Sequence, residues 1–495
     1  MLRRSVVTAA MLFPLVTIIR SPLAGQTHPP TFENPGVHDI VSRISTAQIR
    51  GYITRLVGFG TRHSFSDTLS ETRGIGAARR WIKSEFDRIS EACDGCLEVF
   101  YLQEVFPPVR RIPDSMNVVS VVAIQRGATD PNRMIVMSGD IDAIISGGTG
   151  WENTDSVPGA NDNASGMAGT LEAARVLSQY RFNGSIVYMG LSGEEQGLLG
   201  GQTVARHARE HGWNIIGVLN NDMIGNTQGI SGVTENLTAR VFSDPTPMSP
   251  EIREMVNQSI ETVRELAGQG PSVEFDQALA GLRRLTELQW SMLRSGGGEV
   301  DGSSRQLARY VDRIADVYFP NLDIMMIYRL DRFGRGGHHR PFADAGYPAV
   351  RIMETNENYN RQHQTIRDEG GIHYGDVLES VDFAYATKLT ALNAATLASL
   401  AAAPGPPVNV RLSGANSPAA SLEWDPPLDE QNVTGYRVHW RRTDSPTWDN
   451  AEWLGNITAH RFTGLVVDNY YFGVSAVAFD GSESTVVFPL PTLRR

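Results

Sequence analysis

Three apolar runs in this chain end on acidic residues at spacings that could do chemistry. They are Met137-Ser138-Gly139-Asp140-Ile141-Asp142-Ala143, Leu191-Ser192-Gly193-Glu194-Glu195-Gln196-Gly197 and Leu219-Asn220-Asn221-Asp222-Met223-Ile224-Gly225. Residues two apart in an extended chain face the same way, so Asp140 and Asp142 point together. Like charges that close raise the pKa of one partner, and a bound cation removes that cost. Adjacent Glu194 and Glu195 can divide labour at a strand end, one ligating a metal while the other accepts a proton from an activated water. A solvated helix start, where glutamate favours the dipole, is the plainer reading of that pair. Between the first two runs lies Gly159-Ala160-Asn161-Asp162-Asn163-Ala164-Ser165-Gly166, by itself a loop with helix-capping residues. Downstream, His363 sits in Asn356-Glu357-Asn358-Tyr359-Asn360-Arg361-Gln362-His363-Gln364 and taken alone would be an ordinary structural or exposed histidine.

These residues need a scaffold, and the hydropathy pattern supplies one. Short β-branched runs at 117–124, 134–138, 185–191, 215–219, 324–328 and 349–353 predict strands. Helical segments are predicted near 164–180, 198–211, 248–267, 303–316 and 376–402. Strands alternating with helices predict an α/β fold with a mostly parallel central sheet flanked by helices. In such sheets sites form beyond the carboxyl ends of strands, where the acidic motifs fall. Upstream, Ile49, Ile53, Leu56 and Val57 share one face of a helix entered at Ser45. Trp81, Ile82, Phe86 and Ile89 mark a second helix over 74–89, followed by extended chain. Residues 268–320, with Ser295-Gly296-Gly297-Gly298 inside, exceed an ordinary connection and are a candidate lid or pocket wall.

Length and composition bound the rest. At 495 residues two or more domains are expected, and 41% hydrophobic with 20% charged residues is globular composition. A net charge of -11 argues against a nucleic-acid partner, which needs a basic face. Arg3 and Arg4, an apolar run over 5–19 and Ala24-Gly25 before Gln26 predict a cleaved signal peptide over 1–25, hence a secreted or periplasmic protein. No later stretch is long and apolar enough to predict a membrane span. In that compartment Cys93 and Cys96 are expected to form a small local disulfide without a catalytic role.

The composition changes at Ala401-Ala402-Ala403-Pro404-Gly405-Pro406-Pro407, so the catalytic domain is expected over 26–403 and a second domain over 404–495. Beyond it the pattern is all-β. Leu422 and Trp424, then Tyr436, Val438 and Trp440, alternate, a strand follows over 470–477, and Asp480-Gly481 signals a hairpin turn. The order of these aromatics resembles a fibronectin type III sandwich over about 406–492, with the aromatics as core.

GANDNASG, SGEEQGLLGG and NNDMIG, in that order, resemble the co-catalytic zinc exopeptidase family of bacterial leucyl aminopeptidases. That family includes plasma glutamate carboxypeptidases and, more distantly, glutaminyl cyclases. The resemblance covers roughly 40–400. It implies that Asp162 bridges two metals, that Glu195 and His363 complete one site and that Asp222 serves the other. It implies Glu194 as general base and Asp142 as a supporting carboxylate. His338 and His339, where the family usually carries Asp-His, are expected near the site but not among the ligands.

One departure is informative. The family pattern expects His-x-Asp-Ser where this chain reads Asp140-Ile141-Asp142-Ala143. Asp140 can replace the histidine as a ligand. The second site would then be all oxygen and favour manganese or another hard ion over zinc. Alternatively one zinc remains on Asp162, Glu195 and His363, the set of the glutaminyl cyclases, or the fold survives as a binding or adhesion module. The resemblance implies an exopeptidase acting on peptides, with an aminopeptidase favoured over the other two readings, and the N-terminal segment adds the expectation of export. The C-terminal domain is a candidate for polymer or surface contact.

Overall fold

Asn34 and Ser45 open successive helices, α1 (Pro35–Ser42) and α2 (Thr46–Val57), their side chains accepting the backbone N–H of Gly36 and Gln48. In α2, Ile49, Ile53 and Leu56 are buried, each burial contributing about 1.5–3 kcal/mol. The long helix α3 (Gly74–Glu91) buries Ile82, Phe86 and Ile89 in the same way. The computed structural model describes residues 30–489 except 109–111, 146–154, 245–249, 269, 271 and 296–300. The expected signal peptide at 1–25 lies outside the described residues, as does Gly296-Gly297-Gly298.

Eight strands form the central sheet: β1 (Leu97–Phe106), β2 (Met116–Gln125), β3 (Asp130–Asp140), β4 (Gly184–Leu191), β5 (Asn214–Asn221), β6 (Thr238–Ser243), β7 (Asp323–Ile327) and β8 (Ala349–Glu354). Their order is β1-β2-β4-β3-β5-β8-β6-β7. The four central strands β4, β3, β5 and β8 run parallel. The antiparallel joints lie outside them, at β1/β2, β2/β4 and β8/β6. The six expected strands are all present. β6 was not expected, and β1 only as extended chain.

Both faces of the central strands are covered, which explains their unbroken apolar runs. Ile135, Met137, Ile186 and Tyr188 pack with α4 (Ala164–Leu177) and α10 (Phe383–Ala402). Val136, Val187, Met189 and Val218 face the other way, toward α5 (Leu199–Glu210) and the short α9 (His339–Asp344). Between them in sequence lie α6 (Pro250–Ala267), α7 (Val273–Ser295) and α8 (Ser303–Tyr318). The stretch expected as a lid is therefore largely helical, with α7 alongside α6 and α8 against the sheet and α10. Its 301–306 end does line the cleft described below. Cys93 and Cys96 are disulfide-bonded, and among the described residues no helix is long and apolar enough to cross a membrane.

A small hairpin, β9 (Arg367–Glu369) and β10 (Ile372–Tyr374), precedes α10. The C-terminal domain is a sandwich of two three-stranded sheets. One holds β11 (Val408–Ser413), β12 (Ala419–Asp425) and β15 (Ala459–Thr463), the other β13 (Gly435–Arg442), β14 (Asn450–Gly455) and β16 (Tyr470–Val477). Trp424, Tyr436, Val438, Phe472 and Val474 fill its core. The sandwich docks on α8 through buried polar contacts. Asp301 pairs with Arg309 at 2.6 Å and with Arg441 of β13 at 2.8 Å. Glu483, fully buried, meets Arg313 at 3.1 Å, Arg437 at 2.5 Å and His439 at 3.1 Å.

Removing one partner of such a buried cluster leaves the others uncompensated, which costs about 3–5 kcal/mol. Glu483→Ala is expected to lower unfolding free energy by that amount in a urea titration. A loss below about 1 kcal/mol would show that the joint acts as an exposed ion pair instead.

Candidate metal centre

The parallel strands deliver their acidic residues to one edge of the sheet. Asp140 ends β3 and Asp142 follows it, Glu194 and Glu195 lie just beyond β4, and Asp222 follows β5. Asp162 precedes α4, whose N-cap is Asn163. His363 comes from the loop after β8 and adopts a left-handed backbone, φ 54°, which a residue other than glycine holds only when its surroundings impose it. Glu194, Glu195, Asp162, Asp222 and His363 line a wide cleft.

Three of the five expected ligands converge. Nε2 of His363 lies 2.9 Å from Asp162 Oδ2 and 3.0 Å from a Glu195 carboxylate oxygen. Among the described residues, Asp162, Glu195 and His363 are the one group of three such donors within 4.8 Å of each other. Two carboxylates and an imidazole, partly buried on a cleft, are a donor set suited to zinc. Burial works against the charged form of His363, but Glu195 and Asp162 outweigh it and push its pKa up to about 11.

The loop carrying Asp162 is fixed by residues that the sequence did not single out. Asp376 accepts from the backbone N–H of Asn161 at 2.8 Å and of Asp162 at 2.7 Å. Buried Arg62 donates to the carbonyls of Pro158, Gly159 and Ile141, tying the loop to the end of β3. Gln362, next to the histidine, donates to Asp162 Oδ2 at 3.1 Å. Arg62 and Asp376 carry no local sequence signal, because their partners are 79 or more residues away in the contacts that matter here.

Asp142 has a positioning role. Its carboxylate accepts from the backbone N–H groups of Glu194 at 3.2 Å and Glu195 at 3.3 Å, and from Ser64 at 3.2 Å. It thereby sets the turn that presents both glutamates. Burial, then the charge of Glu195, holds its own pKa above the usual carboxylate range. Burial also raises Glu194, with Glu195 and Asp222 adding to the effect. A glutamate so placed takes up a proton more readily than one in water.

Asp140 and Asp222, expected as ligands, are not drawn into the cluster, because other partners hold them. Asp140 Oδ1 lies 2.6 Å from Nδ1 of His338, and Oδ2 accepts from Asn163 Nδ2 at 2.7 Å. Asp222 pairs with the Arg351 guanidinium at 2.8 Å. Burial opposes the Arg351 charge, but Asp222 and Asp331 outweigh it and hold the group ionised. His338 was expected near the site and is there. His339 instead bonds the Leu330 carbonyl at 2.6 Å. Arg351 did leave a trace in the sequence, as the single charge inside the apolar strand Ala349–Met353.

A raised pKa means that the proton on His363 persists through neutral pH in the metal-free chain, and metal must displace it. Zinc binding to chelator-treated protein is therefore expected to release about one proton and to tighten about tenfold per pH unit between pH 6 and 8. Calorimetry in buffers of different ionisation enthalpy reads this directly. A pH-independent affinity would remove His363 from the ligand set.

The chain is similar to known proteins in both of its parts. Residues 120–273 match the model of peptidase family M28, and residues 405–489 match the fibronectin type III domain. A probable zinc metalloprotease of Leptosphaeria maculans is 36% identical over 92% of this chain and 97% of its own length. A probable zinc metalloprotease of Pyrenophora tritici-repentis is 34% identical over the same shares. Among solved structures, the LapA aminopeptidase of Legionella pneumophila is 17% identical, with a TM-score of 0.49 over 77% of this chain and 78% of that one. At the level of sequence identity found with the two fungal relatives, across nearly their full length, the chain belongs to peptidase family M28.

Proposed function

We propose that the chain is an exported metal-dependent exopeptidase, acting as an aminopeptidase on peptides. The observation that carries this reading is the convergence of Asp162, Glu195 and His363 beside Glu194 on an open cleft. The names of the fungal relatives, both probable zinc metalloproteases, support zinc as the ion. When bound there, zinc would polarise the scissile carbonyl and lower the pKa of the attacking water.

The chain's own residues supply the remaining steps. Glu194 accepts a proton from the water as it attacks, then returns it to the leaving amine. Its raised pKa suits a group that must hold a proton between these two events. Asp142 keeps Glu194 and Glu195 in register through their backbone N–H groups. Asp162 is held from behind by Asp376, so that its carboxylate stays aimed at His363.

A second reading, a glutaminyl-cyclase-like aminoacyltransferase, is favoured by one observation, the three-donor cluster that the resemblance assigns to single-zinc cyclases. A catalytically impaired binding protein is the third, motivated by Asp140. Turnover of a panel of amino-acid arylamides beside a glutaminyl peptide separates them. Arylamide cleavage is expected, falling about 100- to 10,000-fold in Glu194→Gln while zinc content stays unchanged. Cyclised product without cleavage would falsify the peptidase reading in favour of the cyclase, and no turnover of either substrate would favour the binding protein. Export is checked separately: N-terminal sequencing of the secreted chain is expected to begin at Gln26, and a chain that retains Met1 would refute the signal peptide.

A further inference from the structure

We propose that this chain holds a single divalent ion, on Asp162, Glu195 and His363, and that two internal pairs, Asp140–His338 and Asp222–Arg351, take the place of a second. The proposal rests on the metallohydrolase reading above for the first ion and departs from the two-metal pattern that the resemblance implied.

Both carboxylates left for a second ion, Asp140 and Asp222, already have counter-groups. Both Asp140 oxygens are engaged, by His338 on one side and Asn163 on the other. Asn163 is itself anchored to the Asn221 carbonyl at 2.7 Å, so it does not retreat freely. Asp222 faces a guanidinium, which stays charged at every accessible pH and cannot leave as a proton does. Arg351 is fully buried and is also held by the Gly336 carbonyl at 2.8 Å and by Asp331 at 3.3 Å. A dication coordinated by Asp222 would sit within a few ångströms of that fixed positive charge and be strongly repelled. Among the described residues, Asp140, Asp222 and His338 form no group of donors close enough to share an ion.

The Asp140–His338 pair also explains the departure seen in the sequence. The expected pattern places a histidine at 140 and an acid at 338, and this chain carries the two types the other way round. In this chain the two exchanged residues meet in a carboxylate–imidazole contact at 2.6 Å. It moves the imidazole from the end of β3 to the loop before α9, behind the carboxylate.

The test is metal content of the full-length chain after equilibration with excess zinc and desalting, by inductively coupled plasma mass spectrometry. One zinc per chain is expected, falling to near zero in His363→Ala. The reciprocal exchange Asp140→His with His338→Asp, made together with Arg351→Met so that the fixed charge beside Asp222 is also removed, is expected to raise the count to two. A wild-type count of two, or a count of one remaining in His363→Ala, overturns the proposal. Either result would point to His338 Nε2, which lacks a hydrogen-bond partner, as an extra donor. A chain so substituted that melts cooperatively yet still holds one zinc overturns the role given to the two pairs. If the exchanged chain does not fold, the wild-type and His363→Ala counts decide. None of these counts reads hydrolysis, so a chain with one zinc and no peptidase activity refutes the proposed reaction and leaves the single-ion site standing.

Discussion

Asp140, Asp142, Asp162, Glu194, Glu195 and Asp222 are crowded at the ends of adjacent parallel strands, and the cost of keeping that much negative charge out of water governs this site. Each carboxylate has its own answer. Asp162 and Glu195 turn to His363. Asp142 takes two backbone N–H groups. Asp140 takes an imidazole and an amide, and Asp222 a guanidinium. Glu194 lines the cleft with its pKa raised by burial and by its acidic neighbours, a condition suited to a proton carrier.

The supporting residues follow from the same constraint. A carboxylate aimed at a cation must be held from behind, and Asp376, Gln362 and Arg62 do this for the loop of Asp162. Such outer contacts fix the orientation of ligands and tune their basicity. The same logic appears at the domain joint. There Asp301 and Glu483 are buried among arginines from both domains, so the C-terminal sandwich is locked to α8 rather than tethered by a linker. That joint puts residues of the sandwich, Thr485 to Phe488, on the wall of the same cleft.

The sequence by itself determined six of the eight central strands, the mostly parallel sheet and the acidic positions at the strand ends. Those features are local. Apolar periodicity is set by which faces are buried, and a carboxylate following a strand stands out against it. His363, Glu195 and Asp162 could be matched as a set because their flanking residues are distinctive even though the three are far apart in the chain. What only the tertiary structure decided is which charge answers which. Arg351 reads as one cation in an apolar strand until the fold sets it 2.8 Å from Asp222, and Asp140 has no visible counter-group until His338 arrives 198 residues later. Ion pairing depends on distance through space, and no spacing along the chain encodes it.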